Sequence, residues 1–225
     1  MSPDMKHNCL YCNNVCIKKG TRNLVQKYLC KTCGKYQQNK YTYSKITEKD
    51  KQNIIRFAKE GSSISSISRL QKRSKSVIQK LLYIISLKIN KPDYIESGQE
   101  YELDEMSVTL AGNKDIYLVY AINRETRKVI DFCIGKRTKE NISRVVASVL
   151  TYRPRRIFTD RLNIYPSLIP KTIHSPGRRS TNRIERMNLT LRNLIKRLSR
   201  STLCFTRKSE MLESMIKIVC WYQMK

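Results

Sequence analysis

Two Cys-x-x-Cys pairs, Cys9/Cys12 and Cys30/Cys33, stand seventeen residues apart near the start of a 225-residue chain, and Gly34 directly follows the second. That spacing limits the first forty or so residues to one kind of solution. A segment this short cannot bury enough apolar surface to fold alone, whereas two knuckles joined by a β-hairpin present four thiolates to one tetrahedral ion. Residues 1–43 are therefore expected to form a zinc ribbon with a structural Zn²⁺ on Cys9, Cys12, Cys30 and Cys33. Cys16 is a spare that could replace Cys12, and His7 is a further conceivable ligand. Cys133, Cys204 and Cys220 are scattered in apolar surroundings and read as ordinary buried thiols.

The next rhythm is helical. Thr47 offers an N-cap for a helix over residues 48–60 that Gly61 ends, and Ser62 and Ser63 offer a cap for the next. Ile64, Ile67 and Leu70 mark one short helical face. A polar turn, Lys72-Arg73-Ser74, precedes a longer face of Val77, Ile78, Leu81, Leu82 and Ile85. The pattern predicts a helix-turn-helix domain over 44–92, with Lys75, Ser76, Gln79 and Lys80 at the start of its second helix as candidate DNA contacts. A plain three-helix bundle with a solvated basic face is the alternative. Residues 88–98, with Pro92 and Gly98, read as a linker.

Residues 99–225 alternate differently. Strands are expected over 101–110, 116–122 and 128–134, then an amphipathic helix over 139–150, a buried strand over 156–160, a short strand over 172–174, and helices over 182–198 and 208–222. A three-strand meander, a crossover helix and a parallel strand give the order of a ribonuclease-H-like α/β (α+β) domain.

Charge narrows the function. The chain carries a net charge of +27, with basic residues in every segment, and nucleic acid is the partner such a surface collects through counterion release. Between Glu140 and Glu210 there are sixteen Lys or Arg residues and only two carboxylates, Asp160 and Glu185. Phosphodiester chemistry needs carboxylates to hold metal where a basic surface would otherwise repel it. Asp104 on the first strand, Asp160 ending the fourth and Glu185 in the first turn of the following helix can meet on one side of the sheet. Together they would hold Mg²⁺ or Mn²⁺, which prefer hard oxygen ligands. Other assignments stay open on spacing alone. Glu102 shares a strand face with Asp104, Glu105 adjoins it, Asp131 lies on the third strand, and Glu185 could simply pair with Arg183 or Arg186. Arg178, Arg179, Arg183, Arg186 and Arg192 crowd the third carboxylate and are candidate phosphate contacts. Trp221, with Ile218 and Met215 at helical spacing, reads as core, and His174 receives no acid–base role. No run approaches the roughly eighteen apolar residues of a membrane span, and the N-terminus lacks a signal-peptide core, so a cytoplasmic, nucleoid-associated protein is expected.

Leu103-Asp104-Glu105, Phe158-Thr159-Asp160 followed by Tyr165, and Arg183-Ile184-Glu185-Arg186-Met187-Asn188 with Leu189 and Leu191-Arg192 resemble the catalytic blocks of insertion-sequence-one-family transposases. The order of zinc finger, helix-turn-helix and catalytic domain is similar too. The chain departs from the family's common pattern at Arg161-Leu162 and at Met187. The resemblance implies that Asp104, Asp160 and Glu185 are a DDE triad supporting metal-dependent strand cleavage and transfer at the ends of a mobile element. Joining two ends implies a homodimer or larger working complex. A zinc-dependent DNA-binding regulator, or a transposase descendant without chemistry, is the alternative.

Overall fold

The computed structural model describes residues 7–22, 24–38, 46–92, 96–110, 113–177, 181–199 and 208–223. The chain divides into two compact units, Met1–Ile46 and Thr47–Lys225.

In the first unit, β1 (Cys16–Arg22), β2 (Val25–Cys30) and β3 (Tyr36–Gln38) form an antiparallel sheet in that order. The two Cys-x-x-Cys segments are built alike. Cys9 N–H donates to Asn14 O and Cys30 N–H to Lys35 O, while Asn13 N–H returns to Cys9 O and Gly34 N–H to Cys30 O. Asn13 and Gly34 each adopt a positive φ, 57° and 67°, directly after the second cysteine. Asn and Gly are the residues that tolerate this conformation most easily, which is why they close the two knuckles. The buried centre of the unit is Cys9, Cys16, Tyr28 and Cys30, with Cys12 and Cys33 packed against it.

The second unit opens with α1 (Glu48–Lys59), α2 (Ile64–Leu70) and α3 (Lys75–Ser86). Thr47 and Asp50 form a reciprocal capping box on α1, and Ser63 and Ser74 cap the next two helices. Gly61 turns the chain after α1 at φ +78°, and a Cβ there would meet Asn193 O at 3.0 Å. Glycine is needed there for the backbone conformation and for the close approach of a second helix.

The sheet follows: β4 (Glu100–Leu110), β5 (Asn113–Asn123), β6 (Val129–Gly135), β7 (Arg156–Thr159) and β8 (His174–Pro176), in the order β6-β5-β4-β7-β8. The β4–β5 and β5–β6 pairs are antiparallel, and β7 is parallel to both β4 and β8. α4 (Lys139–Leu150) connects β6 to β7, and α5 (Asn182–Leu194) and α6 (Ser209–Trp221) close the chain. The result is a mixed α/β fold with a five-stranded sheet. The last strand lies two residues later than its apolar pattern suggests. α5 stops at Leu194 instead of near 198, and Lys196–Leu198 forms a 3₁₀ turn.

Each sheet face has its own core. Tyr101, Leu103, Val119, Ala121 and Ile130 pack against Ile142, Val145, Val146 and Val149 of α4. The opposite face, with Met106, Val108, Leu118 and Tyr120, packs on Ile184 and Leu191 of α5 and on Leu212, Met215 and Trp221 of α6. Ile54, Ile55, Ala58, Ile67, Ile78 and Leu82 of the first three helices belong to that same cluster. A buried Ser86–Ser214 hydrogen bond of 2.8 Å reinforces the α3–α6 contact. Trp221 is core, donating from Nε1 to Val129 O at 2.9 Å and packing on Phe132. Within the expected linker Lys91 is tied down, pairing with Asp131 at 2.9 Å and also bonding Ser148. Asp131 is thereby occupied at a distance from the other candidate carboxylates.

Candidate active site

Strand register builds the acidic site. Glu102 of β4 pairs with Phe158 of β7, so two residues further along the same parallel register Asp104 comes beside Asp160. β7 ends at Thr159, leaving β4 without a strand neighbour on that side at the level of Asp104, while β5 stays paired on the other. Side chains from both faces of β4 can therefore reach the notch. Ligand oxygens of Asp104, Glu105 and Asp160 all lie within 4.8 Å of one another.

Each carboxylate is held differently. Asp104 Oδ1 accepts from Glu105 N–H at 2.8 Å and Oδ2 from Asn188 Nδ2 at 2.8 Å, while Asn188 Oδ1 accepts from the buried Tyr120 hydroxyl at 2.8 Å. Burial pushes the Asp104 carboxyl above its ordinary range; Asn188 and the Glu105 amide oppose this, and the charges of Asp160 and Glu185 add to it. Glu105, its side chain almost fully buried, accepts hydrogen bonds from Tyr165 and, at 3.1 Å, from Arg137. Burial also raises its carboxyl, with Tyr165 opposing and Asp160 adding. The Asp160 side chain is 41% exposed. Its Oδ1 accepts from Leu162 N–H at 3.0 Å, closing an Asx turn that holds the carboxylate beside the end of β7. Arg137 lies 4.0 Å from its Oδ2.

Glu185 occupies the first turn of α5 and is exposed, its Oε1 3.5 Å from Thr181 Oγ1. Its charge is felt at Asp104, yet it stands outside the tight group of three. The structure thus brings Asp104 and Asp160 together, adds Glu105, and sets Glu185 on the flank. Glu102 is fully buried and bonded to backbone amides of α5, away from the notch. Sequence reasoning missed the supporting roles of Glu105, Tyr165, Arg137 and Asn188. Tyr165 and Asn188 stood in the recognisable blocks without an assigned role. Nothing in the sequence marks Arg137, whose partner Glu105 is thirty-two residues away.

His174 Nε2 lies 2.8 Å from Thr159 Oγ1, and burial lowers its pKa, so the ring is neutral at pH 7. Lys75, Ser76 and Lys80 are exposed at the start of α3 and Gln79 is half-buried. Lys75 and Gln79 line a groove of about 180 Å³ together with Lys196 and Arg197. Arg183 and Arg186 are exposed on α5, Arg192 is half-buried, and Arg178 and Arg179 lie outside the described residues.

In the first unit, ligand atoms of Cys9, Cys12, Cys30 and Cys33 lie within 4.8 Å of one another, with Cys9–Cys33 and Cys12–Cys30 sulfur separations of 3.5 and 3.4 Å. Backbone N–H groups, first that of Cys33, hold the Cys30 thiol down at about 6. Cys33, although the Lys35 N–H pulls it down, is pushed up to about 12 by burial and by hydrogen bonds within the cluster. Four crowded sulfurs cannot all ionise without a cation between them, and a tetrahedral Zn²⁺ fits this donor set. Cys16 accepts from Gln37 Nε2 at 3.4 Å, and burial holds its thiol up at about 11. His7 stacks on Tyr28 and is not among the clustered ligands.

Residues 101–224 match the family model described as IS1 transposase. That is more than half of the chain, and the chain belongs to the IS1 transposase family. It is 38% identical over 116 residues to insertion element iso-IS1n protein InsB of Shigella dysenteriae, an alignment covering 51% of this chain and 88% of that one. It is 31% identical over 106 residues to insertion element IS1 protein InsB of Shigella flexneri, covering 47% and 81%. Among solved structures, one of a simian T-cell lymphotropic virus intasome in complex with PP2A regulatory subunit B56 gamma is similar over 72% of this chain and 66% of that one, at 13% identity and a TM-score of 0.41.

Proposed function

We propose that this transposase binds the terminal inverted repeats of its insertion sequence and catalyses metal-dependent cleavage and strand transfer at them, with Asp104, Asp160 and Glu185 as the DDE triad of a ribonuclease-H-like domain. The observation that carries the reading is the alignment of Asp104 with Asp160 at the end of β7, with Glu185 presented from the helix packed on the same strand. The strand order, three antiparallel followed by two parallel, supports the fold assignment.

The donor set suits a hard divalent cation. Three carboxylates crowd one notch, and two of them, Asp104 and Glu105, have their ionised form disfavoured by burial and by the charge of Asp160. Asp104, Asp160 and Glu185 would hold Mg²⁺ or Mn²⁺, and Glu105, with both oxygens engaged by Tyr165 and Arg137, would act as a wall behind them. When bound, such ions lower the pKa of an attacking hydroxyl and neutralise charge on the phosphate and leaving oxygen. The chain's own residues supply the rest. Asn188 orients Asp104, the Asx turn orients Asp160, and Arg137 balances the cluster's charge. One site serves both steps, because only the nucleophile changes, from water to a DNA 3′-hydroxyl.

DNA recognition belongs, in this reading, to residues 1–43 as a zinc ribbon and 44–92 as a helix-turn-helix, with residues 99–225 as the catalytic domain. Lys75, Ser76, Gln79 and Lys80 face DNA, while Arg178, Arg179, Arg183, Arg186 and Arg192 hold the backbone near the scissile phosphates. The working complex is a homodimer or larger on cytoplasmic, nucleoid-associated DNA; among the described residues no helix is long and apolar enough to cross a membrane.

The test is cleavage and joining on DNA bearing the element's flanking repeats, with Mg²⁺ or Mn²⁺. Joined products that vanish in Asp160→Asn and Glu185→Gln, while repeat binding persists, are expected. Repeat binding without metal-dependent chemistry in the intact protein would instead mark a DNA-binding regulator.

A further inference from the structure

Glu102 is buried without exposed surface in the middle of a sheet, an environment that disfavours an isolated carboxylate. Its surroundings explain why it is there. Oε2 accepts from the backbone N–H groups of Arg183 at 3.1 Å and Ile184 at 2.9 Å, the first-turn donors of α5. Thr181, the N-cap residue of that helix, makes no side-chain cap bond. The cap therefore comes from another element, eighty residues earlier in the chain. Oε1 lies 3.0 Å from Arg124 Nε, and the Arg124 guanidinium sits over the Phe158 ring of β7 at 3.8 Å. One carboxylate thus ties together β4, α5 and, through Arg124, the strand leading to Asp160.

The consequence concerns Glu185. α5 is attached to β4 at two points, Glu102 to the amides of residues 183 and 184, and Asn188 to Asp104. Glu185 lies between them. We infer that Glu102 is a positioning residue: by capping α5 from β4 it fixes the Glu185 carboxylate relative to Asp104, and so sets the affinity of the acidic site for divalent metal. This rests on the triad proposed above. Helix N-termini favour a negative partner, and charge-assisted bonds of this kind are roughly twice as strong as neutral ones, so an amide in place of the carboxylate keeps the shape but loosens the cap.

The experiment is a titration of the full zinc-loaded chain with Mn²⁺ alone, followed by electron paramagnetic resonance, for the intact protein, Glu102→Gln, Glu185→Gln and the double variant. Circular dichroism monitors folding. Glu102→Gln is expected to weaken Mn²⁺ binding roughly 10- to 100-fold, as removal of a residue supporting a metal ligand does. The double variant should bind little worse than Glu185→Gln, because Glu102 acts through Glu185. A folded Glu102→Gln that binds Mn²⁺ like the intact protein, while Glu185→Gln does not, overturns this inference alone. Additive losses in the double variant also overturn it, since they would mean Glu102 acts elsewhere. Equal affinity in the intact chain and Glu185→Gln overturns the triad and this inference together. Should Glu102→Gln fail to fold, Arg183→Pro decides, because it removes one of the two amide donors to Oε2 in a first turn where proline is tolerated: weaker Mn²⁺ binding supports the proposal and unchanged binding overturns it.

Discussion

The cysteine cluster and the carboxylate cluster are both metal-competent groups, but they are built by opposite means. The four sulfurs come from two local turns of the same design, each closed within six residues by its own backbone bonds. The carboxylates come from β4, the end of β7 and the start of α5. They meet only because a parallel register and a helix cap bring distant segments together. In the proposed zinc ribbon the first kind of site depends on its ion for folding. The second depends on the fold and tolerates like charges that the fold alone does not want.

The largest effect should separate the two. Removing the first ion by chelation, or replacing Cys30 by Ser, is expected to unfold the unit Met1–Ile46 outright, since structural zinc contributes on the order of 10 kcal/mol. The melting of Thr47–Lys225 should stay unchanged. Separate calorimetric transitions before and after chelation check this, and loss of both would break the contrast.

Next comes the shared core. Leu82 is buried in the cluster that joins the first three helices to the sheet. Leu82→Ala should destabilise the second unit by about 2–5 kcal/mol, in one cooperative transition that takes the helices and the sheet together. Two transitions in a denaturant titration would show that the helices fold independently of the carboxylate site.

A smaller, opposite effect is expected at Asp104. Its folded pKa is raised by burial, so its favourable contribution is complete below the ordinary carboxylate pKa of about 4 and lost as pH rises through the raised value. At neutral pH without divalent metal the charge is therefore a cost. Asp104→Asn should raise the neutral-pH Tm of the metal-free protein by a few degrees, and the gain should shrink toward acid, while activity disappears. A lowered Tm at pH 7 would contradict the strain assigned to this site. The smallest effect belongs to Cys16, whose thiol burial holds at about 11. Cys16→Ala is expected to leave zinc stoichiometry unchanged by mass spectrometry, and loss of the ion would add Cys16 to the ligand set.

This contrast also explains what could be read from the sequence. Local rules carried the knuckles, the Thr47 and Ser63 caps, and the alternation of β4 to β6. Spacing alone could not rank Glu102, Asp104 and Glu105, which are successive or alternate residues on one strand. Their separate uses depend on where β7 stops and on which face α5 covers. Nor could local pattern show that the helices before Lys88 share a core with α6, because the helical faces of Ile78 and Leu82 look the same whether they meet each other or a partner more than a hundred residues away. Arg137 and the cap provided by Glu102 belong to the same class of long-range fact.

In the proposed reading Asp104, Asp160 and Glu185, and not the tighter set with Glu105, hold the divalent metal. Anomalous diffraction from crystals of the full chain bound to repeat DNA and Mn²⁺ tests it directly. Ions coordinated by Asp104, Asp160 and Glu185, with Glu105 still bonded to Tyr165 and Arg137, are predicted; Mn²⁺ on Glu105 with Glu185 unengaged, or no ion in the notch, would contradict it.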